Sequence, residues 1–213
     1  MMKYDTALFD LDGTLVNTSQ GITEGVKYAI EKMGLKELDY ETRCMFIGPP
    51  IRESFKKYCG VSEEVAEEAL WVYREYYSTK GLLQCELYDG IKELLEYLND
   101  KGKEVVVATA KPTEYSEIIL EHLGVAKYFK KIVGAALDKS LDNKEKVIKA
   151  ALDAADNKNA VMIGDTKFDV EAAQANNLPT IAILYGFGDK QEMLGYNPTH
   201  VEKNVSDLYK YFT

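Results

Sequence analysis

Five short apolar runs set the framework of this chain. Residues 4–9, 104–109 (EVVVAT), 131–134 (KIVG), 160–164 (AVMIG) and 180–184 (TIAIL) are rich in β-branched side chains and nearly free of polar interruption. A strand wetted on one face alternates, whereas a strand covered on both faces reads as these do. Helical patterns separate the later runs. Ile91, Leu94, Leu95 and Leu98 share a helix face within 90–100. Residues 113–123 follow Pro112, which suits a first helical turn, and 143–154 and 168–175 complete the set. Strands alternating with helices predict an α/β fold: a parallel sheet with right-handed crossovers and helices on both faces.

Residues 17–83 break this rhythm and contain no convincing strand. Ile22, Val26, Ile30 and Met33 mark one helix face ended by Gly34, and 51–58 and 62–79 read as further helices. The expected organisation is a core domain of 1–16 and 84–213, with a helical cap domain of 17–83 inserted after the first strand. Its hinges are expected near 16–18 and 82–88.

The first run ends in Phe9-Asp10-Leu11-Asp12-Gly13-Thr14-Leu15. A carboxylate at the end of a buried strand is costly without a partner or a task. Asp10 and Asp12 point to the same side if the backbone stays extended. In an open parallel sheet, ligands bind beyond the carboxyl ends of the strands. Three other features fall there: Thr109 in Val107-Ala108-Thr109-Ala110-Lys111-Pro112, Lys144 just before a helix, and Asp165 with Asp169 in Gly164-Asp165-Thr166-Lys167-Phe168-Asp169. Two carboxylate pairs, a hydroxyl and a lysine are what a metal-bound phosphoryl group needs: a nucleophile, an acid, a metal cradle and positive donors.

Composition narrows the partners. Lys and Arg total 26 against 35 Asp and Glu, a net charge of −9, and no basic block stands out. That argues against nucleic acid, while a small anionic ligand needs only a local positive site. No segment is apolar for long enough to span a bilayer, and Met1-Met2-Lys3-Tyr4-Asp5 lacks the apolar core of a secretory signal. Cys44, Cys59 and Cys85 are odd in number and lack metal-ligand spacing, which reads as reduced thiols in a cytoplasmic protein.

With these motifs in order, the chain resembles the haloacid dehalogenase superfamily over nearly its whole length, on DLDGT after a strand and on GDTKFD. Within it, Ile47-Gly48-Pro49-Pro50-Ile51-Arg52 and Tyr185-Gly186-Phe187-Gly188 resemble the phosphoglycolate phosphatase-like branch. The resemblance implies a Rossmann-like core and a helical cap. It implies a Mg²⁺-dependent phosphatase that hydrolyses a small phosphorylated metabolite through an aspartyl-phosphate, as a monomer or homodimer. Asp10 would be the nucleophile, and Asp12 the acid and then the base. Asp10, the Asp12 backbone carbonyl and Asp165 would hold Mg²⁺, with Asp169 outside them. Thr109 and the Ala110 N–H would hold phosphoryl oxygens, and Lys144 would neutralise the developing charge. Two positions depart from the pattern: Ala110 stands where asparagine is common, and Asn17 where an acidic residue is common.

Blander readings stand beside these. Asp-Gly is a common turn signal, Thr109 alone reads as a strand residue, and Asp165 alone as a helix cap. Lys144 is preferred over Lys139 and Lys146 only by its place before the helix. Arg52 reads evenly as a substrate contact from the cap or as an exposed residue. Trp71, Tyr73, Tyr76 and Tyr77 read as cap core, Cys59 and Cys85 as buried thiols, and His122 as a surface residue at a helix end. Phosphoglycolate, a nucleoside 5′-monophosphate and pyrophosphate are the candidate substrates. A β-phosphoglucomutase-like phosphomutase shares the motifs. A phosphonatase would need an imine-forming cap lysine, which no local motif supports. Dehalogenation does not need Asp12, and neither does a non-catalytic phospholigand-binding protein.

Overall fold

The computed structural model describes residues 3–136 and 141–213, so Met1 and Met2 of the N-terminal reading lie outside the described residues. The chain divides into two compact units, Met1–Val16 with Leu87–Thr213, and Asn17–Glu86.

The first unit is built on β1 (Thr6–Phe9). The chain leaves it through β2 (Val16–Asn17), makes the second unit, and returns through β3 (Glu86–Leu87) and α5 (Ile91–Asp100) to β4 (Glu104–Pro112). It continues through α6 (Thr113–His122), β5 (Lys131–Ala135), α7 (Lys144–Ala154), β6 (Ala160–Gly164), α8 (Lys167–Ala175), β7 (Thr180–Ile183), α9 (Lys190–Gly195) and β8 (His200–Glu202). Six strands form one parallel sheet in the order β5-β4-β1-β6-β7-β8. The order runs outward from β1 through β4 to β5, then resumes on the other flank of β1 with β6. That reversal opens a crevice at the carboxyl end of β1, where Asp10 lies.

Both faces of the central strands are buried. Leu8, Val106, Ala108 and Met162 pack with Val147, Ile148 and Ala151 of α7 and Ala172 and Ala173 of α8. The alternate residues Ala7, Phe9, Val105, Val107, Val161 and Ile163 are equally sequestered. Continuous apolar runs are therefore what these positions demand.

The structure departs from the sequence reading at several points. The first run begins its pairing at Thr6 rather than at residue 4. The strand from 104 passes Thr109 and reaches Pro112, with a register shift against β5 between Ala108 and Pro112. The edge strand β8 and the short helix α9 were not expected. The His-Val-Glu stretch of β8 has no apolar run and still pairs along β7.

The second unit is helical: α1 (Ser19–Met33), α2 (Tyr40–Cys44), α3 (Ile51–Cys59) and α4 (Glu63–Tyr77). Phe46 is fully buried between Phe55, edge-on at 5.1 Å, and Tyr58 at 5.5 Å. Tyr73 and Tyr77 stack at 5.1 Å in its interior, but Trp71 is 59% exposed with the Arg74 guanidinium over its ring. The tyrosines thus belong to the core, and the tryptophan does not, because it sits on the wetted face of α4. Cys59 and Cys85 are half-buried rather than buried, and no described cysteine is in a disulfide. His122 is exposed at the end of α6. No described helix is long and apolar enough to cross a membrane.

Candidate active site

The sheet register brings the carboxylates together. Phe9 pairs with Val107 on one side and with Ile163 on the other, and the Asp10 N–H donates to the Ile163 carbonyl at 2.9 Å. Asp10, Thr109 and Asp165 therefore leave the sheet at one end on three adjacent strands. All three are buried.

Asp10, Asp165 and Asp169 each offer an oxygen, and these atoms lie within 4.8 Å of one another. Lys144 bridges two of them, with Nζ at 2.6 Å from Asp10 Oδ1 and 2.7 Å from Asp169 Oδ1. Asn143 caps α7 by accepting from the Lys146 N–H, which fixes the first turn and turns Lys144 inward. Lys146 instead pairs with Asp142 in solvent at 2.8 Å, and Lys139 lies outside the described residues. Asp169 stands in the first turn of α8. Its Oδ2 accepts from the Thr166 N–H at 3.0 Å and the Thr166 hydroxyl at 2.8 Å. Thr166, not Asp165, is the helix cap.

The electrostatics follow from burial. Burial pushes the Asp10 carboxyl up to about 6, against the pull of Lys144 and with added repulsion from Asp169 and Asp12. Burial, then the charges of Asp169 and Asp10, push Asp165 up to about 8, against the Phe187 and Gly188 N–H groups. For Lys144, burial alone would lower the ammonium, but Asp10 and Asp169 outweigh it and hold it above its ordinary range. Three carboxylates against one ammonium leave an excess of negative charge in a sequestered space. Hard oxygen donors with that excess fit a small divalent cation. Asp10 and Asp165 with a neighbouring backbone carbonyl are the residues that would hold it, and it would supply charge neutralisation for a phosphoryl group.

Thr109 accepts from the Lys111 N–H at 3.2 Å, and Ala110 is exposed at the strand end between them. The remaining candidate is Arg52. It belongs to the second unit, where Glu53, Glu63 and Glu67 surround its guanidinium at 3.2–3.6 Å.

Sequence reasoning missed Lys111 and Thr14. The Lys111 side chain is 6% exposed and its Nζ meets Asp12 Oδ2 at 3.0 Å. The signal was a lysine in an otherwise apolar strand end, immediately before a proline. The Thr14 hydroxyl donates to Asp165 Oδ1 at 3.1 Å, a contact across 151 residues that no local pattern reveals.

Comparison with known proteins agrees with this geometry. The family model described as haloacid dehalogenase-like hydrolase matches residues 7–183. A 5′-nucleotidase of Pseudomonas aeruginosa is 38% identical over 209 residues, 97% of this chain and 95% of that protein. Tyrosine-protein kinase PtkA of Mycobacterium tuberculosis is 34% identical over 183 residues, 85% of this chain and 62% of the kinase. The crystal structure of a predicted phosphatase from Clostridium acetobutylicum superposes with a TM-score of 0.90 at 42% identity, over 98% of this chain and 97% of that one. The family match spans the sheet from β1 to β7 and carries Asp10, Asp165 and Asp169 with it. The chain is a phosphatase and belongs to the haloacid dehalogenase-like hydrolase family.

Proposed function

We propose that this phosphatase hydrolyses a nucleoside 5′-monophosphate with the help of Mg²⁺, by way of an aspartyl-phosphate on Asp10. The observation that carries the chemistry is the buried set of Asp10, Asp165 and Asp169, with Lys144 bridging Asp10 and Asp169. What supports the nucleotide is the likeness, over nearly the whole chain, to a protein named for that activity.

Asp10 Oδ attacks phosphorus and the ester P–O bond breaks. Asp12 gives its proton to the departing alkoxide. Asp12, now a carboxylate, takes a proton from a water as that water attacks phosphorus, which releases inorganic phosphate and restores Asp10. Lys111 Nζ, 3.0 Å from Asp12 Oδ2, holds the Asp12 side chain in place. Lys144 offsets charge on Asp10 and the phosphoryl oxygens, and the Thr109 hydroxyl and Ala110 N–H bind those oxygens. Both oxygens of Asp169 are engaged by Thr166 and Lys144. Its part is to orient the lysine.

The test is phosphate release with Mg²⁺ over nucleoside 5′-monophosphates, phosphoglycolate, pyrophosphate and β-glucose 1-phosphate, ranked by kcat/KM. A nucleotide at the head of the ranking is the expected result. Phosphoglycolate at the head would return the substrate to the expectation of the sequence resemblance. Isomerisation of the sugar phosphate without phosphate release would replace hydrolysis by a mutase. Transfer to a protein tyrosine, the activity in the mycobacterial relative's name, enters as a control.

A further inference from the structure

We propose that the 185–188 loop and Thr14 form a clasp that fixes the Asp165 carboxylate for a divalent cation and so sets the metal affinity of the chain. The inference rests on the reading of Asp165 as a metal ligand.

Asp165 accepts three hydrogen bonds. The Phe187 N–H donates to Oδ2 at 2.8 Å, the Gly188 N–H to the same oxygen at 3.2 Å, and the Thr14 hydroxyl to Oδ1 at 3.1 Å. A carboxylate offers about four lone-pair sites. Three donors fill three of them, stop rotation about the Cβ–Cγ bond, and leave one lone pair on Oδ1. A carboxylate with one fixed lone pair is a preorganised ligand, because nothing remains to be ordered when the cation arrives.

The clasp closes on itself. The Tyr185 hydroxyl donates to the Thr14 carbonyl at 2.9 Å, so the loop that bonds Oδ2 also holds the residue that bonds Oδ1. Tyr185 packs against the Tyr88 ring at 4.9 Å. The backbone approach is so close that no side chain fits at two points. A Cβ on Gly186 would lie 2.3 Å from Asp165 Oδ2 and 2.4 Å from the Gly13 carbonyl oxygen. One on Gly13, whose φ is +81°, would lie 2.2 Å from Asp165 Oδ2. Two glycines from segments 173 residues apart thus meet the same oxygen. This gives the Tyr185-Gly186-Phe187-Gly188 stretch a task that the phosphoryl chemistry itself leaves unassigned.

The experiment is calorimetric titration of the full chain with Mg²⁺ in the absence of substrate, beside thermal melts in EDTA. Thr14→Val removes one donor and Thr14→Ser keeps it. Tyr185→Phe removes the tie between the two segments but keeps the ring. Partners that orient a metal ligand typically change affinity about 10- to 100-fold. Thr14→Val is expected to weaken Mg²⁺ binding in that range, Thr14→Ser to restore it, and Tyr185→Phe to weaken it by less than Thr14→Val. Gly186→Ala should weaken it at least as much as Thr14→Val. Mg²⁺ binding equal to wild type in Thr14→Val and Tyr185→Phe, with or without a lower melting temperature, would overturn the clasp. Absence of Mg²⁺ binding by the wild type would overturn the metal reading beneath it.

Discussion

Replacing Lys144 by methionine isolates the electrostatics of the site. The ammonium is 9% exposed and bridges Asp10 and Asp169, whose side chains are 10% and 2% exposed. Methionine keeps most of the length and removes the charge. Breaking a buried ion pair by deleting one partner costs about 3–5 kcal/mol when the remaining charge stays ionised. The Asp10 carboxyl has an escape, which is to take up a proton, and the sign of the pH dependence follows. Asp10 already sits at about 6 in the folded chain, against about 3.9 when unfolded. Without Lys144 it moves higher. A carboxyl whose folded pKa exceeds its unfolded one loses stability progressively as pH rises from the unfolded value through the folded value. The variant should therefore stand close to wild type at pH 4.5 and fall behind it at pH 8 by roughly 3 kcal/mol. For a chain of this length that is about 6–12 °C in melting temperature. The assay is a thermal melt in EDTA at both pH values, with Lys144→Arg as the charge-preserving control. A deficit of equal size at pH 4.5 and pH 8 would refute the reasoning, since it would place the role of Lys144 in packing.

Asp165 gives a second pH dependence. With the carboxyl pushed up to about 8, stability of the metal-free protein should decline between about pH 4 and pH 8, and Mg²⁺ should raise the melting temperature more at pH 8 than at pH 5. At the edge of the sheet, burial pushes the His200 imidazole below its ordinary range. Its contribution to stability is present at neutral pH and lost on acidification, so His200→Gln should flatten the acid limb of a melting-temperature profile. Phe46→Ala should cost the second unit about 3–5 kcal/mol in urea denaturation, since the ring is fully buried between Phe55 and Tyr58.

What the sequence disclosed and what it hid have physical reasons. Strands buried on both faces announce themselves as apolar runs, so β1, β4, β6 and β7 were legible, and the edge strand β5 was legible through its Ile132-Val133 pair. The edge strand β8 was not, because its three residues carry a single apolar side chain, Val201. The order of Asp10, Thr109, Lys144 and Asp165 along the chain was legible because each stands at a strand end or helix start. Their convergence follows from the parallel register of Phe9 with Val107 and Ile163. The preference for Lys144 over Lys146 was legible in its place before the helix, and one side-chain cap, the Asn143 carbonyl on the Lys146 N–H, underlies it. Thr14 and Lys111 were hidden because their partners are remote or on another strand. Trp71 was misread because helical spacing alone does not say which face of α4 is wetted.

The central claim is that phosphate passes through Asp10 and that Asp12 governs its release. Asp12→Asn assayed with p-nitrophenyl phosphate tests it most directly, because this leaving group departs without a proton donor and hydrolysis of the intermediate still needs the base. The expected result is a burst of one nitrophenolate per site, a slow steady state, and phosphate on the peptide that contains Asp10 after acid quench. Steady turnover at the wild-type rate, or phosphate recovered on a different residue, would contradict it.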